Sequence, residues 1–325
     1  MGRYLLRRLG FALLLIAIAS SAALLLTRLA PGDFTSDQAL ALSPEAHARL
    51  RADLGLDRPL AVQYWTWLAG VVRLDFGQSL LYSRPVASLI GERALNTAVL
   101  ALAALVLATA IGVPLGVYSG SRSHGAGRQV VRALSMVALS VPPLIGSLAL
   151  VFVAARTGWL PVGGMTSAAG AAGAAPTWGF WLADVARHLP LPAMALALPL
   201  AAALERLQSQ AMAQAAREPF VAASRARGLS EARAVIRHAW PVSLHAVLGL
   251  YGVVIGGLFS GSFVVEVVTS WPGLGRLMFD ALKARDLYLV AGCAASGACC
   301  LAAGTWLADA LLAVADPRVR PTESR

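Results

Sequence analysis

The sequence predicts an all-α, polytopic membrane protein with six transmembrane helices, and three observations carry that reading. Hydrophobic residues make up 58% of the chain and charged residues 14%, against about 45–50% and about 25% in soluble globular domains. Apolar runs close to 18 residues or longer recur along it, and runs of that length cross a bilayer core. The arginines gather in alternate connecting segments, as the positive-inside bias of a multi-pass protein requires.

The expected spans are Leu9–Leu26, Ala94–Tyr118, Val130–Ala155, Leu189–Leu204, Leu244–Val265 and Leu287–Ala315. Arg3, Arg7 and Arg8 precede the first, which resembles the start of a signal peptide. Its apolar run is longer than the 7–15 residues of a cleaved signal, so it reads as an uncleaved anchor. The fourth span is the shortest and is interrupted by Pro190, Pro192 and Pro199. In the fifth, the small residues of Gly256–Ser262 suit close helix packing. Cys293, Cys299 and Cys300 all fall in the sixth, without a CxxC pair or a histidine partner, and read as small membrane-buried residues.

Residues 30–93 form an outside segment between the first two spans. Ser43 and Pro44 resemble a helix N-cap and first turn and Gly55 a helix stop, which predicts a helix over Pro44–Leu54. A second helix is expected over Pro59–Leu74, with Leu60, Tyr64, Trp67, Leu68 and Val71 on one face. The run Gly163–Ala175 is low in complexity and reads as a flexible spacer.

Orientation follows from the arginines. With the N-terminus inside, the inside segments hold Arg122, Arg128 and Arg132, then the run from Arg206 to Arg237, and finally Arg318, Arg320 and Arg325. Both termini are therefore expected to be cytoplasmic. The net charge of +10 reflects this bias and attraction to anionic lipid, and implies no nucleic-acid partner.

Several chemistries are excluded or disfavoured. Lys283 is the sole lysine, in the outside segment DALKARD, so the chain lacks the lysine that a P-loop needs to reach nucleotide phosphates. Glu205, Glu266 and Asp309 lie near span ends, where interfacial solvation explains them better than ion coupling. Ser260 and His245 are too far apart on one straight helix to act as nucleophile and base, since 15 residues rise more than about 20 Å. No catalytic, cofactor-binding or metal-binding residue is expected. Energy must then come from a partner, unless the protein is a passive channel or a signalling membrane protein.

The segment Arg217–Trp240, REPFVAASRARGLSEARAVIRHAW, is where a partner would act. Pro219 is placed to start a helix on which Phe220, Val221, Ser224 and Arg225 present a small surface, and Ala222, Ala223 and Ala226 permit close approach. Gly228 suits a left-handed helix stop, and Ser230 an N-cap with Glu231 in the next first turn. That second helix is expected to end or bend before Pro241. A basic helix lying on anionic lipid is the alternative reading.

The same residues resemble the cytoplasmic EAA loop of ABC-importer permeases of the dipeptide, oligopeptide and nickel branch. That loop reads D-Y-I-x-x-A-R-A-K-G-L, and Pro219-Phe220-Val221-Ala222-Ala223-Ser224-Arg225-Ala226-Arg227-Gly228-Leu229 is similar to it, with Val235-Ile236-Arg237-His238-Ala239 following. Further similarities run in order along the chain. They are Arg7-Arg8-Leu9, Pro31-Gly32-Asp33, Leu54-Gly55-Leu56-Asp57-Arg58-Pro59-Leu60 and Leu74-Asp75-Phe76-Gly77. Pro114-Leu115-Gly116, Trp271-Pro272-Gly273-Leu274-Gly275-Arg276, Arg285-Asp286 and Asp316-Pro317-Arg318-Val319-Arg320 complete the series. Trp240-Pro241-Val242-Ser243 departs from the usual L-R-N-A, and Phe220 stands where tyrosine is common.

The resemblance implies a type I ABC-importer permease fold. Residues 1–29 would be an N-terminal anchor, 30–93 a periplasmic helical segment, 94–315 a five-helix permease core with a coupling loop at 205–241, and 316–325 a cytoplasmic tail. It further implies a bacterial inner-membrane protein with a homologous second permease, two ATPase subunits that hold ATP and Mg, an extracytoplasmic substrate-binding protein and membrane lipid as partners. By resemblance, Phe220, Val221, Ala223, Ser224, Arg225, Arg227 and Gly228 would dock the ATPase, and Glu231, Ile236, Arg237 and His238 would lie on the coupling helix. Trp271, Pro272, Gly273, Gly275 and Arg276 would form a periplasmic connection. Di- or oligopeptides are the implied substrates, with nickel chelates, glutathione and opines as alternatives. Asn96, Thr97, Ser135, Ser140 and Ser147 would supply polar positions in the spans.

Overall fold

A computed structural model describes residues 2–36, 43–73, 75–122, 124–167 and 177–315. Among these, the chain is helical apart from turns and one isolated antiparallel bridge between Gln78 and Pro85. The helices are α1 (Gly2–Leu29), α2 (Pro44–Asp53), α3 (Leu60–Val72), α4 (Val86–Ser121), α5 (Ala126–Ser140), α6 (Pro143–Thr157) and α7 (Trp178–His188). They continue with α8 (Pro190–Ala215), α9 (Pro219–Ala226), α10 (Glu231–Ala234), α11 (Trp240–Val268), α12 (Leu274–Lys283) and α13 (Leu287–Ala315). Within the described residues, α1, α4, α8 and α13 each contain a stretch long and apolar enough to span a membrane. The expected fifth span lies in α11, a helix of 29 residues. The chain divides into two compact units, 1–97 with 272–302 and 98–271 with 303–325.

In the first unit, the Ser43 hydroxyl accepts the Ala46 N–H and Pro44 occupies the first turn of α2, as the sequence predicts. The helix ends at Asp53, and Gly55 takes φ +67° while its N–H donates to Ala52 and that of Leu56 to Arg51. This is a Schellman closure, with Leu56 as its buried apolar residue. Trp67 of α3 is buried with Leu24 of α1 and Ala291 of α13, flanked by Tyr64, Leu68 and Val71. Leu60, expected on that face, is 38% exposed. The Tyr64 and Ser21 hydroxyls lie 2.9 Å apart, and the Arg28 guanidinium donates to the Leu56 carbonyl at 2.8 Å.

Asp33 closes this corner. Its carboxylate accepts the N–H and hydroxyl of Thr35 at 3.0 and 2.7 Å and is bonded by Arg51, which also reaches Asp57 at 3.1 Å. Burial pushes the carboxyl pKa up, but the Thr35 bonds and the Arg51 charge outweigh it and hold the group below its ordinary value of 3.8.

The second unit is built on α8, which places Ala193, Ala197, Ala201 and Leu204 in one core with Leu100, Ala104 and Ala108 of α4 and Val247, Val254 and Leu258 of α11. The approach of α4 to α8 requires glycine. A Cβ on Gly112 would lie 2.5 Å from the Ala201 carbonyl oxygen, and one on Gly116 2.6 Å from Gln208 Cβ and 2.8 Å from the Glu205 carbonyl oxygen. A Cβ on Gly120 would strike the Ser209 carbonyl. Spaced four apart, these glycines line one face of α4 and let the two backbones meet.

Four expectations are corrected here. The span Val130–Ala155 is not one helix: α5 and α6 meet at a bend of 105°. Val141 is extended (φ −82°, ψ 118°), as a residue before proline prefers, and Pro142 and Pro143 then start a new helix. The helix of the fourth span continues past Leu204, since α8 runs on to Ala215. Glu205 and Glu266 are not solvated at an interface but 2% and 0% exposed. The Glu205 carboxylate accepts the Ser119 hydroxyl at 2.5 Å. Finally, the run Gly163–Ala175 is fixed at its start, where the Gly164 N–H donates to the Thr269 carbonyl at 2.9 Å and Asp184 accepts both the N–H and the hydroxyl of Ser167 at 2.8 Å. Residues 168–175 of that run, the tail 316–325 and the Asp309 and Ser260 side chains lie outside the described residues.

Two predictions follow from packing and charge. Gly116→Ala should lower the unfolding free energy by about 1–3 kcal/mol through overpacking, whereas Gly91→Ala, whose Cβ meets nothing within 4 Å, should be neutral or stabilising. Thermal unfolding of the two variants in detergent reads the contrast, and equal melting temperatures would refute the glycine seam. For Asp33, the lowered pKa means that its stabilisation is present above the ordinary value of 3.8 and lost as pH falls through the folded-state value. Asp33→Asn should therefore lower the melting temperature at about pH 6 and converge on the unsubstituted protein near about pH 2.

Candidate functional site

The basic segment after α8 folds as a helical hairpin. The Arg217 and Glu218 N–H groups donate to Gln214 and Ala215, and Pro219 then opens α9, a helix of 8 residues. Gly228 takes φ +92°, its N–H donates to Arg225 at 2.9 Å, and the Leu229 N–H donates to Ser224 at 3.3 Å. The turn is a second Schellman closure, with the half-buried Leu229 as its apolar residue. A Cβ on Gly228 would meet nothing within 4 Å, so the glycine serves backbone conformation alone.

Ser230 has the extended backbone of an N-cap (φ −61°, ψ 152°), but its side chain makes no capping bond. The return helix neither stops nor breaks before Pro241. Val235–Ala239 forms a π-turn in which the Trp240 N–H reaches the Val235 carbonyl, and α11 continues from Trp240 with Pro241 in its first turn. A proline ring collides with the carbonyl four residues back in a regular α-helix, and the wider turn relieves that collision at Arg237. The hairpin is thus joined directly to a membrane-length helix.

The two faces of the hairpin differ. Val221, Ala234, Val235 and Ala239 are buried against Met212 and Ala215 at the end of α8. Ser224 is also buried, with its hydroxyl donating to the Val221 carbonyl at 2.7 Å. Val221 and Ser224 therefore face the chain's own interior, not the outer surface on which the sequence reading puts them. Ala223, Arg225, Arg227 and Gly228 are exposed, as are Glu231 and Arg237, while Phe220 is 41% and Ile236 58% exposed. His238 is half-buried. Arg225 faces Glu231 across the turn at 3.5 Å.

Beneath the hairpin lies a buried polar cluster that sequence reasoning missed. The Gln208 side-chain amide of α8 donates to the Ser243 hydroxyl of α11 at 2.8 Å, one turn along from the Glu205–Ser119 bond. Gln208 and Ser243 are 0% and 2% exposed. The departure Trp240-Pro241-Val242-Ser243 thus supplies a buried hydroxyl where α11 meets α8.

The second candidate region, Trp271–Arg276, contributes to both units separately. Trp271 is fully buried in the core of the second. In the first, the Pro272 carbonyl accepts from Asn96 at 2.8 Å and from Arg93 at 3.3 Å, and the Leu274 N–H donates to the Thr97 hydroxyl at 2.8 Å. Gly273 precedes α12 in extended conformation, and Gly275 and Arg276 are half-buried in its first turn. Asn96 and Thr97 therefore tie down the connection, and Ser147 bonds within its own helix to the Pro143 carbonyl at 2.6 Å. Ser140 likewise bonds to Met136 at 2.8 Å, while Ser135 is half-buried on α5.

Asp286 was visible in the sequence only as part of a motif. It caps α13 through the Leu289 N–H at 3.1 Å and accepts the Ser79 hydroxyl and the Leu81 N–H at 2.7 and 3.0 Å. Next to it, Arg285 packs against Gly32, where a Cβ would collide with its guanidinium. The motifs Pro31-Gly32-Asp33 and Arg285-Asp286 are thereby joined. Asp286→Ala should cost about 2–4 kcal/mol, because it removes a cap and strands buried donors; urea titration of the detergent-solubilised protein measures this, and a loss within about 0.5 kcal/mol would contradict it.

Comparison with known proteins agrees with this architecture. Residues 112–321 match the family described as binding-protein-dependent transport system inner membrane component, and residues 1–101 match the N-terminal part of such membrane components. The chain is 34% identical to the oligopeptide transport system permease protein OppB of Mycobacterium tuberculosis, over 98% of this chain and 99% of that protein. It is 32% identical to a provisionally named peptide permease protein of Brucella ovis over the same shares. A provisionally named peptide transport system permease protein of Brucella abortus is 33% identical over 97% of this chain and 98% of its own length. A membrane chain with these helices, matched from end to end, belongs to the family of ABC-importer inner-membrane permeases that serve binding-protein-dependent transport.

Proposed function

We propose that this chain is a peptide-importing permease driven through its helical hairpin by separate ATPase subunits. The observation that carries the reading is the pairing of a Schellman-closed hairpin, buried on one face against α8, with an exposed face of Phe220, Ala223, Arg225 and Arg227. The lack of a P-loop lysine supports it, since energy must then enter by contact. A docked ATPase would grip α9 from outside, while Val221 and Ser224 lock α9 to the return helix and to α8. Glu231, Ile236, Arg237 and His238 lie on the lever between the grip and α11.

The arginine bias supports a cytoplasmic position for this hairpin and both termini in a bacterial inner-membrane protein. The assembly in this reading contains a homologous second permease, two ATPase subunits that bind ATP and Mg, and an extracytoplasmic binding protein above residues 30–93. The names of the relatives favour peptides as cargo. Nucleotide-driven closure of the ATPases would move the paired hairpins and tilt the helices rigidly joined to them.

Three measurements test the proposal. Arg225→Glu combined with Arg227→Glu should cut ATPase copurification and labelled-dipeptide uptake about tenfold or more, because charge reversal at an interface costs several kcal/mol. Gly228→Val should uncouple in the same way, since a β-branched residue is strained at φ +92°. Normal substrate-stimulated ATPase activity of the reconstituted Gly228→Val complex would defeat the coupling role. Uptake of radioactive nickel but not of dipeptide in a strain carrying this permease would instead displace the cargo assignment.

A further inference from the structure

A groove of about 770 Å³ lies between the end of α4, the start of α5 and the hairpin. Arg122, Arg128, Arg217 and Arg225 line it, drawn from different elements, and Glu231 is the one carboxylate among its described lining residues. With His124 neutral these groups sum to +3, from four arginines less one glutamate. Arg122 is positioned rather than loose: its guanidinium stacks over the Tyr118 ring at 4.3 Å to the centroid and donates to the Tyr118 hydroxyl at 3.2 Å. Four guanidiniums held by a folded backbone around one concavity repel each other, and an anion among them relieves that repulsion.

The groove is not polar throughout. Val117, Val235 and Ile236 supply apolar wall. A ligand with a phosphate head and an attached apolar body fits this combination: the head sits among the arginines and the start of the apolar body meets Val117 and Ile236. Soluble phosphates satisfy the arginines but leave the apolar surface uncovered.

We infer that this groove binds the headgroup of an anionic phospholipid. It lies on the inward side in the orientation proposed above, where positive charge adjoins the leaflet surface. The bound lipid would brace the hairpin against α4 and α5 and make coupling depend on anionic lipid. The site adjoins the ATPase-facing surface and shares Arg225 with it, while Arg122 and Arg128, from α4's exit and α5, lie outside the docking residues named above.

The test uses the purified full chain and does not require the ATPase. After delipidation it is exposed to equimolar phosphatidylglycerol and phosphatidylcholine, and retained lipid is read by native mass spectrometry. Phosphatidylglycerol should be retained about tenfold over phosphatidylcholine, with Arg122→Gln/Arg128→Gln abolishing the preference and Arg122→Lys/Arg128→Lys keeping most of it. Equal retention of both lipids by the unsubstituted chain would overturn the inference, as would an undiminished preference in the glutamine variant. Displacement of phosphatidylglycerol by millimolar inorganic phosphate or ATP would overturn the lipid assignment in favour of a soluble anion. Should the glutamine variant fail to fold, the unsubstituted chain must still melt higher in phosphatidylglycerol nanodiscs than in phosphatidylcholine ones, and equal melting sinks the idea. Orientation is read independently by labelling an engineered Ser230→Cys from either side of the membrane, so an inverted topology would be distinguished from an empty groove.

Discussion

The close approach of α4 to α8 governs the second unit. Because Gly112, Gly116 and Gly120 carry no side chain, the α4 backbone can lie against the carbonyls of Ala201, Glu205 and Ser209. Apolar packing between membrane helices gains little from exclusion of water, since lipid is as apolar as leucine. Close contact and buried hydrogen bonds must do that work. The seam brings Ser119 within 2.5 Å of the Glu205 carboxylate, which would otherwise be a buried group without a donor. It also sets α8 where Met212 and Ala215 form the floor for the hairpin. Loosening the seam would thus disturb the core, the polar cluster and the hairpin together.

Two buried polar bonds tie α8 to α11 and to α4. Ser243, at the start of α11, receives the Gln208 amide of α8, and Glu205 one turn away accepts from Ser119 of α4. Directional bonds of this kind have few intermediate geometries, so a tilt of α11 must carry α8 with it or break the Gln208–Ser243 bond. The π-turn at Val235–Ala239 lies on the hairpin side of these bonds. Such turns hold one extra residue per turn and tolerate local rewinding. The hairpin therefore runs on into α11, with the π-turn lying between the Gly228 closure and the Gln208–Ser243 bond.

Local signals in the sequence were legible where a short-range rule decides the conformation. Ser43-Pro44 started a helix, and Gly55-Leu56 and Gly228-Leu229 both produced Schellman closures, because glycine takes positive φ and the following leucine finds a core. What escaped depended on distant partners. Val221 and Ser224 read as surface until α8 proved longer than its proline-rich start implied, since an extended α8 gives them a floor. Glu205 looked like an interfacial acid because its donor, Ser119, is remote in sequence. The break between α5 and α6 was written in Val141-Pro142-Pro143, but the surrounding apolar run masked it, hydropathy being blind to backbone direction. Helix α12 was likewise readable, as Leu274, Leu277 and Ala281 are buried at helical spacing.

The hairpin's construction limits what a partner can do with it. A docking element on a flexible loop would absorb a push within the loop, whereas α9 is closed by backbone bonds at both ends and fixed internally by Val221 and Ser224. In the proposed coupling, force applied at Phe220 or Arg225 would therefore pass to Ala234 and Val235, and from there to α11. The Arg225–Glu231 pair spans the turn at the surface, where ion pairs add about 1 kcal/mol or less. Rigidity must consequently come from the buried side and not from that bridge. The hairpin can be stiff and still expose its basic face, because one set of residues holds it while another remains available to be held.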